Sequence, residues 1–191
     1  MGHQKSPHLS LAHETWQKFL RPGDGAIDAT CGNGHDTLFL AKLLLDHPES
    51  FLAAIDLQQQ AIDQTNKLLK NNLTDLSRLL LERRCHADLA SLNLPKKPRL
   101  IVYNLGYLPG GNKNITTQTE KTLISLTEAL SLIEKDGALS ITCYPGHEEG
   151  AREEKAIESW ASRLNPLRWR ASFQRVINRP SAPSFLWLTS S

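Results

Sequence analysis

Short apolar runs alternate with amphipathic stretches along nearly the whole chain, and this alternation constrains the fold more than any other feature. Gly25–Thr30 (GAIDAT), Phe51–Leu57 (FLAAIDL), a weaker Leu79–Cys85, Leu100–Leu105 (LIVYNL) and Gly137–Tyr144 (GALSITCY) read as strands. Between them, apolar residues recur at helical spacing in His35–Leu45, Gln58–Leu69, Thr119–Ile133 and Glu149–Leu164. A further helix is predicted over residues 10–20, stopped by Arg21-Pro22-Gly23-Asp24, and a short helical turn over Asp88–Leu92. Strands separated by helices require right-handed crossovers, hence an α/β fold with a mainly parallel sheet and helices on both faces. Trp169–Ile177 and Phe185–Thr189 follow one another without a helix, which predicts an antiparallel hairpin at one edge of a seven-stranded sheet.

The 191 residues are read as a single domain, 1–191, without repeats or a long linker. With 40% hydrophobic and 22% charged residues the chain is an ordinary globular sequence rather than a disordered one. No apolar run approaches the roughly 20 residues of a membrane helix, and MGHQKSPHLS has no apolar segment of a secretory signal. The 3 cysteines, odd in number and widely spaced, fit a reducing compartment, and a cytoplasmic location is expected. They form no zinc spacing with the histidines, so no metal site is expected. A net charge of +2 says little about partners, but its distribution says more. After Glu158 the chain carries Arg163, Arg168, Arg170, Arg175 and Arg179 and no acid, interleaved with Trp160, Trp169 and Phe173. This pattern suits either a basic face for RNA or the outward residues of terminal strands.

In open α/β sheets ligands bind beyond the carboxyl ends of the strands, and the chemically capable residues gather there. The first strand runs into Asp28-Ala-Thr30-Cys-Gly32-Asn33-Gly34-His-Asp36-Thr37, a glycine turn that opens a helix. A dinucleotide site would want a third glycine, and an acid at the strand end repels phosphate. A ligand with a sulfonium and an α-ammonium group, S-adenosylmethionine, suits the turn better. Asp56, ending the second strand, is placed to accept ribose hydroxyls. Asp88 suits an adenine amino group or a cap for the turn that follows. The fourth strand leads into Asn104-Leu-Gly106-Tyr107-Leu-Pro109-Gly110-Gly111. An amide, a flexible loop and an aromatic ring resemble the Asn-Pro-Pro-Tyr loop of amino-group methyltransferases, with Leu105 and Gly106 in place of the prolines. After the fifth strand, Tyr144-Pro-Gly146-His147 faces the same end, and His147 suits a base, an RNA contact or a helix cap. Cys31, Cys85 and Cys143 read as small buried residues.

Taken together, DATCGNGHDTLFLA, AAIDLQ, NLGYLPGGNK, ITTQTEKT and YPGHEEGAREE resemble the YtqB-like class I methyltransferases. That family has been labelled rRNA methylase and is associated with MnmM, the tRNA 5-aminomethyl-2-thiouridine methyltransferase of the wobble position. The resemblance runs from about Gly23 to Glu154 and more loosely to the chain end. It implies a Rossmann-like methyltransferase fold, S-adenosylmethionine as cofactor, and methylation of the primary amine of 5-aminomethyl-(2-thio)uridine. The partner it implies is a tRNA anticodon loop, with no membrane; a homodimer is an open arrangement. Asp28, Gly32 and Gly34 match the first donor motif, Asp56 and Gln58 the second. Asn104, Gly106 and Tyr107 match the substrate loop, and Tyr144, Gly146 and His147 the loop after the fifth strand. Val176–Pro183 departs from the family pattern, where an Asn-rich segment with a Pro-Pro is expected.

The expected donor-binding set is therefore Asp28, Thr30, Gly32, Asn33, Gly34, Asp36, Thr37, Asp56, Gln58, Asp88 and Asn104. Asn104, Tyr107 and His147 are the expected catalytic residues. Tyr107, Pro109, Gly110, Tyr144, His147, Arg168, Arg170 and Arg175 are the expected substrate contacts. Methylation of rRNA or of a small amine, and a non-catalytic RNA-binding module, are the alternatives these residues leave open.

Overall fold

Residues on successive positions of the central strand bury themselves in opposite directions, and the two cores of the molecule follow from that. The structure, a computed structural model, describes residues 7–111, 116–179 and 181–190. Its strands are β1 (Gly25–Asp28), β2 (Phe51–Asp56), β3 (Leu79–Arg83), β4 (Leu100–Asn104), β5 (Ala138–Cys143), β6 (Trp169–Gln174) and β7 (Ser184–Ser190). Its helices are α1 (Pro7–Phe19), α2 (His35–Leu44), α3 (Gln59–Lys70), α4 (Thr119–Leu132) and α5 (Glu148–Ser162), with a 3₁₀ segment at His86–Ser91. The strands form one sheet in the order β3-β2-β1-β4-β5-β7-β6.

The first five strands are parallel, with Ile27 opposite both Ala53 and Ile101. Their near-continuous apolar sequences reflect cover on both faces. Ile27, Ile55, Ile101, Tyr103 and Ile141 face a core with Leu126 and Ala129 of α4 and Ile157 of α5. Ala26, Leu52, Leu100 and Val102 face the other core, with Trp16 of α1, Leu40 and Leu44 of α2 and Leu69 of α3. Trp16 is fully buried and its indole N–H donates to Ser140 Oγ at 2.8 Å, fastening α1 to the sheet.

The expected antiparallel strands are present, and the last strand takes the inner place: β7 is antiparallel to both β5 and β6. The strand predicted to reach Ile177 ends at Gln174, whose partner Phe185 stands beside the start of β7. Beyond that register no partner strand is found among the described residues, and Val176 and Ile177 are exposed. The chain passes outward from β1 to β3, then returns to the other side of β1 as β4. The crevice beyond the carboxyl ends of β1 and β4 is thus the topological switch point of the sheet. No helix among the described residues is long and apolar enough to cross a membrane.

Candidate active site

A cavity of about 720 Å³ occupies that crevice, a size typical of small-molecule and cofactor sites. Of the residues singled out in the sequence, Thr30, Gly32, Asn33, Asp36, Asp56, Gln58, Asn104, Tyr107, Pro109, Tyr144 and His147 line it. They come from the carboxyl ends of four parallel strands, β1, β2, β4 and β5, and the segments that follow them.

The turn after β1 is shaped by its glycines. Gly34 has φ of 83°, and a Cβ there would lie 2.8 Å from Thr65 Oγ1 and 2.9 Å from Thr65 Cα. Only glycine allows α2 to start so close to α3. The Thr65 hydroxyl donates to the Gly32 carbonyl at 3.1 Å, and the Gly32 N–H donates to Asp56 Oδ2 at 3.0 Å. Asp56 Oδ1 accepts the Gln58 N–H at 2.9 Å. The turn and the end of β2 therefore form one unit, with the Asp56 carboxylate at the cavity wall. Burial raises its pKa from the ordinary value, against the N–H donors that lower it.

Asn104 is the most informative wall residue. Its backbone N–H donates to Thr30 Oγ1 at 2.7 Å, and its Nδ2 donates to Asp36 Oδ2 at 2.8 Å. Its Oδ1 is buried and has no hydrogen-bond partner among the described residues. A buried acceptor left unpaired costs about 1–3 kcal/mol, a cost recovered when a ligand supplies an N–H or O–H. Beyond it, Gly106 (φ 134°) starts a small loop closed by an isolated bridge between Tyr107 and Thr116. The Gly106 N–H donates to Thr117 Oγ1 at 2.9 Å, and the Thr117 hydroxyl donates to Glu153 Oε2 at 2.7 Å. The loop is thus tied to α5. Asn33 Nδ2 also donates to the Pro109 carbonyl at 3.1 Å, joining it to the β1 turn. Residues 112–115, including Lys113 of the family-like string, lie outside the described residues.

Several residues sit elsewhere than expected. Asp28 is completely buried behind the turn, where Oδ2 accepts the Thr37 hydroxyl at 2.6 Å and Oδ1 the Thr30 N–H at 3.3 Å. Burial pushes its carboxyl up to about 7, the Thr37 bond opposing and Asp36 adding to the rise. Asp28 and Thr37 therefore brace the turn from within, and Gly34 is buried against Thr65; none of the three is on the wall. Asp88 is exposed in the 3₁₀ segment, and Cys85 and His86 take the wall position instead. Gly110 is exposed, off the wall.

His147 caps α5: its Nδ1 accepts the Gly150 N–H at 3.1 Å. That acceptor role puts the proton of the neutral ring on Nε2, which makes the side chain a donor and not a base. The Tyr107 ring lies 5.6 Å from it, tilted by 50°. Cys31 and Cys143 are buried, and burial pushes both thiols far above their usual range, which suits small core residues and not nucleophiles.

The arginines divide by the direction of β6, which runs parallel to β5. Arg168 and Arg170 lie at the end of the sheet away from the cavity, Arg170 pairing with Thr189 and Thr189 with Ala138 at the start of β5. Arg175 is at the cavity end but is engaged by Glu158 at 2.9 Å and Glu154 at 3.5 Å. The acid-free tail thus meets acids of α5 that sequence distance hides.

Sequence reasoning missed Leu9, His35, Leu57, His86, Gln118, Lys121 and Ser181 on the wall. His86 carried a signal, since it directly follows the third strand. Burial lowers its pKa to about 4, and Nε2 has no partner among the described residues. Leu9 carried none. α1 reaches the cavity because it packs on the sheet, with His8 Nε2 3.3 Å from the Tyr144 hydroxyl.

The residues present fit S-adenosylmethionine. Asp56 offers a carboxylate for ribose hydroxyls, and the glycine turn after β1, with Gly32 on the wall, lets the backbone approach a ligand closely.

The comparisons with known proteins agree. A family model described as "Putative rRNA methylase" matches residues 52–190. The chain is 34% identical over 185 residues to the chloroplastic tRNA (mnm(5)s(2)U34)-methyltransferase of Arabidopsis thaliana, covering 93% of this chain and 67% of that protein. The crystal structure of a protein of Clostridium thermocellum described as "putative rRNA-methylase" superposes with a TM-score of 0.90 at 27% identity, covering 99% of this chain and all of the other (100%). SMU.1697c of Streptococcus mutans, described as "a putative methyltransferase" and crystallised in complex with SAH, superposes with a TM-score of 0.83 at 25% identity over 98% of this chain and 100% of its own. By its matched residues, its fold and the cavity at the switch point, the chain belongs to the rRNA methylase family of class I, S-adenosylmethionine-dependent methyltransferases.

Proposed function

We propose that the enzyme N-methylates the primary amine of 5-aminomethyl-(2-thio)uridine at the wobble position of tRNA, giving the 5-methylaminomethyl form. The observation that carries this is the buried Asn104 Oδ1, unpartnered among the described residues at the cavity wall, with the Tyr107 ring on the loop beside it. The named activity of the Arabidopsis relative supports the same substrate.

S-adenosylmethionine supplies a methyl group already activated on a sulfonium. The protein has to align the amine and exclude water. A primary aliphatic amine is mostly protonated in neutral water, and an ammonium has no lone pair. A sulfonium in the same cavity favours the neutral amine, as like charges do. Asn104 Oδ1 then accepts an amine N–H and leaves the lone pair free. Tyr107 stacks on the uracil, and Asp56 holds the ribose of the donor, with Gln58 and the Gly32–Gly34 turn beside it. Methylation yields a secondary ammonium, which releases a proton to solvent. The base must leave the anticodon stack to enter such a cavity.

Nucleoside mass spectrometry of tRNA from a strain lacking the gene tests the reading. Accumulated 5-aminomethyluridine species are expected, removed by the wild-type gene and not by Asn104→Ala. In vitro, undermodified tRNA should be methylated and rRNA or free nucleoside should not; unchanged tRNA in the deletion strain, with activity on rRNA, would overturn the assignment. Asn104→Ala should lower kcat by about 100-fold or more, as loss of a reaction-specific polar contact does, while leaving donor affinity near wild type.

A further inference from the structure

An asparagine amide can face the cavity with either end, and the two ends have opposite effects on an amine. Oxygen accepts an N–H and leaves the nucleophilic lone pair free. Nitrogen donates to that lone pair and blocks it. Asp36 decides between them. Its Oδ2 accepts Asn104 Nδ2 at 2.8 Å, and the reversed amide would set Oδ1 against a carboxylate oxygen, two acceptors facing each other. Its other oxygen, Oδ1, lies 2.5 Å from His13 Nε2, and the His13 ring is stacked on Phe39 with centroids 3.9 Å apart. Both carboxylate oxygens are therefore held by neighbours, and the pair is largely shielded, with side-chain exposures of 10% for His13 and 11% for Asp36.

We propose that Asp36 is a positioning residue, held by His13 of α1, that locks the Asn104 amide with its oxygen toward the acceptor amine. The proposal rests on the reading of Asn104 given above. It assigns Asp36, read from the sequence as a donor contact, to the substrate side of the cavity. It also gives α1 a part in the reaction, through a histidine that does not reach the cavity wall.

A double-mutant cycle on methylation of undermodified tRNA tests it, with single-turnover rates and S-adenosylhomocysteine affinity measured for each variant and folding checked by thermal unfolding. Asp36→Asn can pair with Asn104 in either flip. It should lower the rate about tenfold, the order expected when a charge-assisted hydrogen bond becomes a neutral one, with affinity for S-adenosylhomocysteine held within about twofold. In the Asn104→Ala background the same change should cost nothing further, because its effect runs through the amide. Equal loss in both backgrounds overturns the positioning role and leaves the reading of Asn104 standing. A wild-type rate for Asn104→Ala overturns that reading and this inference with it. If Asp36→Asn does not fold, His13→Leu decides: its rate loss must also vanish in the Asn104→Ala background, and persistence there overturns the proposal.

Discussion

Asp28 and Asp56 stand at equivalent places, each the last residue of a parallel strand, yet they do different work. Asp56 reaches the cavity wall, whereas Asp28 is buried beneath the turn with Thr37 and Thr30 on its oxygens. The consequence is a pH dependence. The folded-state pKa of Asp28, about 7, lies above the ordinary 3.8, so between these values the folded chain holds a proton that the unfolded chain has released. Stability from this group is present in acid and is lost as the pH rises through about 7. Asp28→Asn removes the titration. Denaturant midpoints measured from about pH 4 to pH 8 should show the wild type losing stability relative to the variant as pH rises. His86 acts in the opposite sense: its lowered value makes the fold lose stability as pH falls from 6.5 towards about 4, and it is common to both proteins. Asp56, Asn104 and Tyr107 were legible because polar residues right after buried strands have one open direction. Which of two such acids faces the cavity was not legible, since that depends on how the turn folds over the strand end.

At the scale of elements, the loop after β4 is held by a buried acid on a distant helix. Glu153 accepts the Thr117 hydroxyl at 2.7 Å and the Thr122 hydroxyl at 2.5 Å, joining the loop after β4 and helix α4 to α5. Burial raises its pKa, against both of these bonds. Glu153→Ala leaves two hydroxyls and the Gly106 tether without their anchor. It should cost about 1–3 kcal/mol of stability for the buried groups left unsatisfied, read from denaturant midpoints. It should also lower kcat/KM for tRNA more than donor affinity. The helix periodicity placed Glu153 on α5, but nothing along the chain announced that it would face Thr117, 36 residues away. The His147 cap is the same kind of fact. The position beside a helix start was readable, while the nitrogen used by the Gly150 N–H, which removes the ring from the role of base, required the fold.

At the scale of the whole molecule, strand direction sorts the basic residues. Because β6 runs parallel to β5, Arg168 and Arg170 emerge at the opposite end of the sheet from the cavity, and Arg175 emerges near it but pairs with Glu154 and Glu158. Changing Arg168 and Arg170 to Ala together should leave kcat/KM on an isolated anticodon stem–loop unchanged in steady-state assays. A marked loss would mean that the RNA wraps around the sheet edge. The basic tail was visible in the sequence as an absence of acids, and the fold restored the acids from α5, so its electrostatic meaning changed on folding.

The sequence by itself determined the layer architecture and the cavity's place at the strand ends. Apolar periodicity decides which faces are buried, and right-handed crossovers leave few ways to stack the rest. Tertiary structure alone decided which side chains meet. The His13–Asp36–Asn104 chain joins α1, α2 and β4, and its members are separated by 23 and 68 residues. Contacts between elements depend on the rotation and depth at which helices settle on a twisted sheet. Those are set by packing volume across the whole core, a quantity that no local stretch of sequence contains.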